Sequence, residues 1–381
     1  MSSQNKSRFG EIRRLAWPFV LAGMLAAAQT AVQAQEESAA EPVPEAAEVT
    51  APDDAVAADE AEATEEGAAA TEVPEQPEMP GVTPGAKARD GDAEIMPRAS
   101  KSILLALEDT GGGLIVVGER GHILLSADGL TWDQSPVPTR ATLTAVDCAD
   151  ANTCWAVGHD AVILKTTDGG KSWTKQYFEP ELEKPFLDVL FFDAQHGFAI
   201  GAYGLFKETL DGGNTWNEFN ADIRAEEWHF NAITRLGNGN LLLVGETGGI
   251  VTSTDGGVTW VQQESPYEGS YFGALAIGES GAVIYGLRGN AFYSADAVQG
   301  NWAEIQTDTT QGLLGGTILP NGDYLIVGNN GTVLRGTAGS TQVQAMPDPV
   351  GKGLAAVQAL PGGDLLLLGE TGAHILKGAV P

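Results

Sequence analysis

Basic charge and cysteine are what this chain has least of. Lys and Arg number 21 against 51 Asp and Glu, giving a formal net charge of −30, and only two residues are Cys. So acidic a protein repels phosphate backbones and anionic lipid surfaces, which excludes general nucleic-acid binding. Long apolar runs are missing as well. The longest, Leu15 to Ala28, falls short of the ~20 residues that span a bilayer. There is no nucleophile elbow, no His-x-x-x-His pair and no phosphate loop. Beside Cys148 and Cys154 the only nearby metal-ligating histidine is His159, too little for a zinc site. No cofactor and no metal is expected.

What is present divides into three parts. In residues 1–34, Lys6, Arg8, Arg13 and Arg14 precede the apolar run, and Val32-Gln33-Ala34 supplies the small residues a signal peptidase needs. The expectation is an export signal cleaved after Ala34, with an uncleaved anchor as the alternative. No Cys follows the run, so a lipoprotein anchor is not indicated. Residues 35–86 carry fifteen acidic and no basic side chains, almost without aromatics. Such a segment buries too little apolar surface to offset ordering entropy, and reads as a disordered, self-repelling spacer. Residues 87–381 are Gly-rich, with a net charge of −18. Within them Cys148 and Cys154 flank a predicted hairpin turn. A short-loop disulfide is expected, stable in the oxidising compartment that export implies; two buried free thiols are the alternative.

An internal repeat decides the fold class. An apolar run ending in Gly recurs at Gly118, Gly158, Gly201, Gly245, Gly286, Gly328 and Gly369, at spacings of 40 to 44 residues. Each copy holds four strand-like segments, in the second copy Leu143–Asp147, Cys154–Gly158, Val162–Thr166 and Trp173–Tyr177. Four strands and about 42 residues per unit are the proportions of a propeller blade. The chain is therefore predicted to be all-β, a seven-bladed β-propeller of four-stranded antiparallel blades. The last copy has three segments only, and the stretch around Ala93–Pro97 is the candidate for its outer strand, closing the ring from the N-terminus.

A second signature, Ser/Thr-x-Asp-Gly-x-x-Ser/Thr-Trp or close to it, joins the third and fourth segments. It places Asp128 with Trp132, Asp168 with Trp173, Asp211 with Trp216 and Asp255 with Trp260. The carboxylate can accept backbone N–H groups in a tight turn while Gly supplies positive φ. Four copies speak for architecture, with each Trp packed between blades, rather than for a row of catalytic or calcium-binding aspartates. These are Asp-boxes, the bacterial neuraminidase repeat. Combined with the Val-Gly-x-x-Gly segments, they make residues 100–381 resemble the photosystem II stability and assembly factor family. That resemblance implies a non-catalytic exported scaffold that helps assemble a membrane complex, and relatives also occur outside photosynthesis. Photosynthetic members carry an arginine-bearing patch, whereas only eight Arg stand from Arg89 onward here.

Propeller geometry puts the second-to-third loops and the blade crossovers on one face, where the chain is irregular. The candidate partner-binding residues there are Arg120, His159, Asp160, Tyr203, Trp228, His229, Glu246, Tyr267, Arg288 and Asn330. Phe186, Phe230 and Phe272 in the same loops read better as packing residues. The expected function is a monomeric periplasmic scaffold for a protein partner in an envelope or membrane complex, without direct membrane insertion once the signal is removed. The alternative is a sialidase-like or other polysaccharide-acting propeller built on Arg120, Arg288, Tyr203, Glu246 and Asp160. An inner-strand arginine expected of sialidases is missing, since Ile103–Leu107 is wholly apolar.

Overall fold

The computed structural model describes residues 90–380 apart from 220, 221, 225, 226, 348 and 349. The expected signal, residues 1–34, and the acidic spacer, residues 35–86, lie outside the described residues. Seven antiparallel sheets stand in chain order, six of four strands and one of three. Blade one consists of Leu104–Asp109, Leu114–Gly118, Ile123–Ser126 and Asp133–Gln134. The first strand of every blade touches that of the next, and the seventh returns to the first, so first strands are innermost. Second strands carry the core and are buried from end to end, as in Leu114–Gly118, Cys154–Gly158 and Leu365–Gly369. Their apolar runs without alternation follow from burial on both faces. Outer strands are short and mostly exposed.

The repeat glycines have a single physical cause. Each inner strand is bulged at its start, between Leu104 and Ala106 in blade one and at the same place in the other six. The bulge brings the carbonyl of the preceding residue against the glycine. A Cβ there would lie 2.1 to 2.3 Å from the oxygen of Ile103, Thr142, Pro185, His229, Ser270, Gly312 or Gly353. Gly118, Gly158 and Gly286 have φ of −170°, 179° and −175°, so close approach selects glycine there and conformational freedom does not.

The Ser/Thr-x-Asp turns form closed hydrogen-bond sets. Asp168 Oδ1 accepts from Thr166 Oγ1 at 2.7 Å and from the Ser172 N–H at 3.0 Å, and Oδ2 accepts from Ser172 Oγ at 2.6 Å. Trp173 donates its indole N–H to the Gly170 carbonyl at 2.9 Å and packs with Ile115 of blade one and Leu164 of blade two. These turns bond the first-to-second loops, through Gly169 N–H to Asn152 O and Gly212 N–H to Gln195 O. On the opposite face, the loop residues Glu119, His159, Ala202, Glu246, Leu287, Asn329 and Glu370 donate backbone N–H groups to the crossovers. The two faces are thus distributed as the propeller pattern requires.

Ring closure differs from the sequence expectation. Ala93–Pro97 forms no strand, and among the described residues blade seven holds Leu354–Ala359, Leu365–Gly369 and Gly372–Leu376. The segment runs along blade one, with Ala93 N–H to Val137 O at 2.8 Å and Arg140 Nε to Asp92 O at 2.9 Å. The Gln134 side chain takes both the Met96 N–H and the Glu94 carbonyl. Pro97 has no N–H to offer blade seven. The next turn, Ala99–Lys101, makes the backbone approach to blade seven, where Ser100 O abuts Gly372 as Thr139 O abuts Gly121. Closure therefore uses a crossover position, with Met96 and Ala99 plugging an apolar cluster that includes Leu366, Leu368 and Trp132.

Cys148 and Cys154 are opposite one another in the first hairpin of blade two and are disulfide-bonded, with Cα atoms 4.0 Å apart. Six residues of separation make a small loop, so loop-closure entropy predicts a stabilisation of roughly 2 kcal/mol. Cys148→Ala/Cys154→Ala should lower the unfolding free energy by about that amount in denaturant titration. An unchanged midpoint would show that the bond constrains nothing.

Candidate functional site

The second-to-third loops share one construction. In six of them two successive residues have positive φ, closing a hairpin turn of the type I′ kind. The first of the pair is Arg120, Asp160, Tyr203, Thr247, Arg288 or Asn330, with φ between 53° and 60°. Such turns favour Asn, Asp or Gly at that place, because a larger side chain in the left-handed region costs roughly 1–2 kcal/mol. Asp160 and Asn330 are what the turn calls for. Arg120, Tyr203, Thr247 and Arg288 are not, and three of those four were picked out from sequence. Arg120, Tyr203, Thr247 and Arg288 are exposed on the loop face. Backbone strain held at exposed, chemically distinctive side chains is a mark of functional positions.

The structure brings some of the predicted residues together. Tyr203, 41% exposed, meets the His229 ring edge-on at 4.6 Å. Glu246 accepts the His229 backbone N–H at 2.9 Å and lies 3.8 Å from its imidazole. Burial holds the His229 pKa below its ordinary value, with Glu246 pulling the other way. Lys184, not foreseen from sequence, donates to the Tyr203 carbonyl at 3.0 Å and stands 5.9 Å over its ring. Trp228 is half-buried against the blade-three and blade-four core, and its carbonyl accepts the Gly204 N–H. Tyr267 is half-buried over Tyr271 and Phe292, and its phenol feels the charge of Arg288. A cavity of about 550 Å³ beside Arg288 is lined by Glu304, Thr307, Asp308 and Thr310.

The remaining candidates stand apart around the ring. Arg120 is 3.8 Å from Glu119. Asn330 donates to Gln311 at 2.9 Å, and the Asp160 carbonyl accepts the Glu179 N–H. His159 uses its backbone N–H to hold the Thr142 crossover. Phe186 and Phe230 are fully buried and Phe272 half-buried, so the packing role expected of them holds. Tyr203 contacts His229, and the Glu246 carboxylate is occupied by the backbone of residue 229. Thr247 and Lys184 escaped sequence reasoning. Aligning the seven loops, six of them Gly-x-x-Gly and one ending in Ala161, would have found Thr247; Lys184 has no such signature.

A second set of polar groups lies on the inner strands. Glu108, Asp147 and Asp188 belong to blades one, two and three. Asp147 accepts the Phe191 N–H at 2.5 Å, and Asp188 accepts the Ile233 N–H at 2.9 Å, each tying its blade to the next. Desolvation pushes their pKa values up, to about 6 for Asp147 and about 7 for Asp188. Glu108 rises to about 8, through burial and then the charges of Asp147 and Asp109. Among the described residues no group of three or more His, Cys, Asp or Glu is arranged to hold a metal ion. Nor is any helix there long and apolar enough to cross a membrane.

The ring of seven antiparallel sheets, four-stranded in six blades, defines a seven-bladed β-propeller. Within that class the chain belongs to the photosynthesis system II assembly factor YCF48 family, whose profile matches residues 176–372. A stretch of 76 residues is 36% identical to the chloroplast photosystem II stability/assembly factor HCF136 of Cyanidioschyzon merolae, covering 18% of this chain and 17% of that protein. Solved structures that share the fold include two of YCF48 proteins. YCF48 bound to D1 peptide superposes with a TM-score of 0.59 at 20% identity, over 72% of this chain and 93% of that one. YCF48 from Cyanidioschyzon merolae gives 0.60 at 17% identity, over 74% and 97%.

Proposed function

We propose that the protein is an exported, non-catalytic assembly or stability factor that holds a protein client of an envelope or membrane complex on its loop face. The observation that carries this reading is the placement of Arg120, Tyr203, Thr247 and Arg288 in turn positions that resist such side chains. Membership of an assembly-factor family supports it, and so does a relative of the same fold bound to a peptide. Export is supported by the disulfide and by the expected signal, and the acidic segment suits a spacer. Arg120 and Arg288 stand on blades one and five, so a client engaging both covers the mouth of the ring. Each arginine has acids nearby, Glu119 beside Arg120 and Glu304 and Asp308 around the Arg288 cavity, so the face offers a client contacts of both signs.

The test separates strain kept for function from strain kept for folding. Arg120→Asn/Arg288→Asn places in both turns a residue that tolerates positive φ. The double variant should gain about 1–2 kcal/mol in stability. It should also lose the client that wild-type protein retains from a detergent-solubilised envelope fraction. Full retention of the client, or a fall in stability, would remove the basis of the assignment.

A further inference from the structure

Blades one to six each end on an outer strand. It is two residues long in Asp133–Gln134, Asn217–Glu218, Val261–Gln262 and Ala303–Glu304, three in Val343–Ala345 and four in Thr174–Tyr177. Among the described residues, no strand pairs with the third strand of blade seven, Gly372–Leu376. The Ala373 carbonyl faces outward and accepts from Lys101 Nζ at 2.9 Å. By ladder alternation the N–H and C=O of Ile375 point the same way. Beside this edge lies a cavity of about 280 Å³, lined by Lys101, Leu130, Trp132, Ala373, His374 and Ile375. Leu130, at its rim, is 56% exposed.

We propose that this open edge is a docking seat for an extended segment of another protein, which adds to blade seven as its missing fourth strand. Six blades of the same ring show what belongs in that position: a short antiparallel strand. Main-chain pairing to Ile375 supplies affinity, and apolar side chains two residues apart reach Leu130 and Trp132, the usual division of labour in strand addition. Charge sets the rest of the sequence. Lys101 lies on this edge of an acidic domain, and in blade three Lys207 of the third strand stands 3.9 Å from Glu218 of the outer strand. The segment therefore carries an acidic residue between its apolar ones. Lys101, by capping Ala373, also keeps the edge from pairing indiscriminately, a role lysine often has on exposed edges. This seat is separate from the loop face and stands or falls without it.

The probe is a capped peptide copying residues 301–306, which contain the outer strand of blade five, Asn-Trp-Ala-Glu-Ile-Gln. Hydrogen exchange on the full chain should show the Ile375 amide exchanging freely without peptide and slowing at least tenfold at saturation. Leu130→Asp should weaken binding at least tenfold by fluorescence anisotropy, whereas Leu210→Asp, at a leucine also exposed but on another blade, should not. A peptide with proline replacing the alanine should fail to bind. An Ile375 amide already protected in the free chain would mean that the chain itself or a second copy fills the seat, and would overturn the proposal. So would an amide that the peptide leaves unchanged, or undiminished binding by Leu130→Asp.

Discussion

Gly286→Ala should cost about 3 kcal/mol or more, among the largest losses a single methyl can cause in this fold. The Cβ would sit 2.1 Å from the Ser270 oxygen and 2.7 Å from the Tyr271 Cα, both backbone atoms that cannot rotate away. Relief requires moving the start of the blade-five inner strand, where Tyr271 is fully buried and packs against Phe292. That strand also contacts the inner strands of blades four and six, so the displacement spreads to both neighbours. Backbone conformation is no part of the effect, because Gly286 is extended, with φ −175°. The control is Gly112→Ala on an exposed loop, where the nearest atom to the new Cβ is 3.8 Å away and φ is not positive. It should be neutral or slightly stabilising, by a few tenths of a kcal/mol. Denaturant midpoints of the two variants decide the matter. Equal losses would mean that glycine serves flexibility in this ring, and the close-approach explanation of the repeat would fail.

That glycine shows why so much of the ring was legible. The same backbone collision occurs seven times at nearly constant spacing, and each time only one residue type escapes it. The buried second strands and the Asp turns repeat for equally local reasons. What repeats for no strong local reason was misread. An outer strand of this propeller is as short as two exposed residues, for example Asn217–Glu218, so it leaves no apolar pattern to recognise. Position alone assigns Ala93–Pro97 to blade seven. The amide of Gln134 and the missing N–H of Pro97 place it on blade one. The loop face was legible as a set of residues but not as strain, because positive φ at Arg120 or Tyr203 breaks the rule by which such turns are recognised. The inner carboxylates were missed for another reason. Phe186-Leu187-Asp188-Val189 reads as a strand with one stray acid, and the bulge at its start determines where that acid points.

Glu108→Gln should make the protein more stable at pH 8, by about 2 kcal/mol, and leave it nearly unchanged at pH 4.5. Glu108 is held up to about 8 from an ordinary 4.5, first by burial and then by the charges of Asp147 and Asp109. A raised carboxyl pKa means that the folded state holds a proton the unfolded chain gives up. Its contribution is therefore whole below about pH 4.5 and is lost as pH rises towards 8. A shift of that size corresponds to more than 4 kcal/mol at full strength. Glu108 is half-buried and retains some contact with solvent, which reduces the expected figure to about half. Asp147 and Asp188, at about 6 and about 7, act in the same direction over a lower window. Other groups bound the effect. Burial lowers His122 and His229, so their neutral forms favour folding above about pH 6.5 and oppose the carboxylates on acidification. The turn carboxylates Asp128, Asp168 and Asp255 are lowered to about 2 by their hydrogen bonds, so what they contribute is lost only as pH falls from about 4 towards 2. Neither group differs between wild type and Glu108→Gln, so the difference between the two stability curves isolates the inner carboxyl. Glutamine is a fair replacement because it preserves shape while removing the charge that the inner strands desolvate. Urea titrations at pH 4.5, 6, 7 and 8 should give curves that coincide in acid and separate steadily as the pH rises. Parallel curves across the range would mean that Glu108 is solvated in the folded ring and that its proton has no part in holding the blades together.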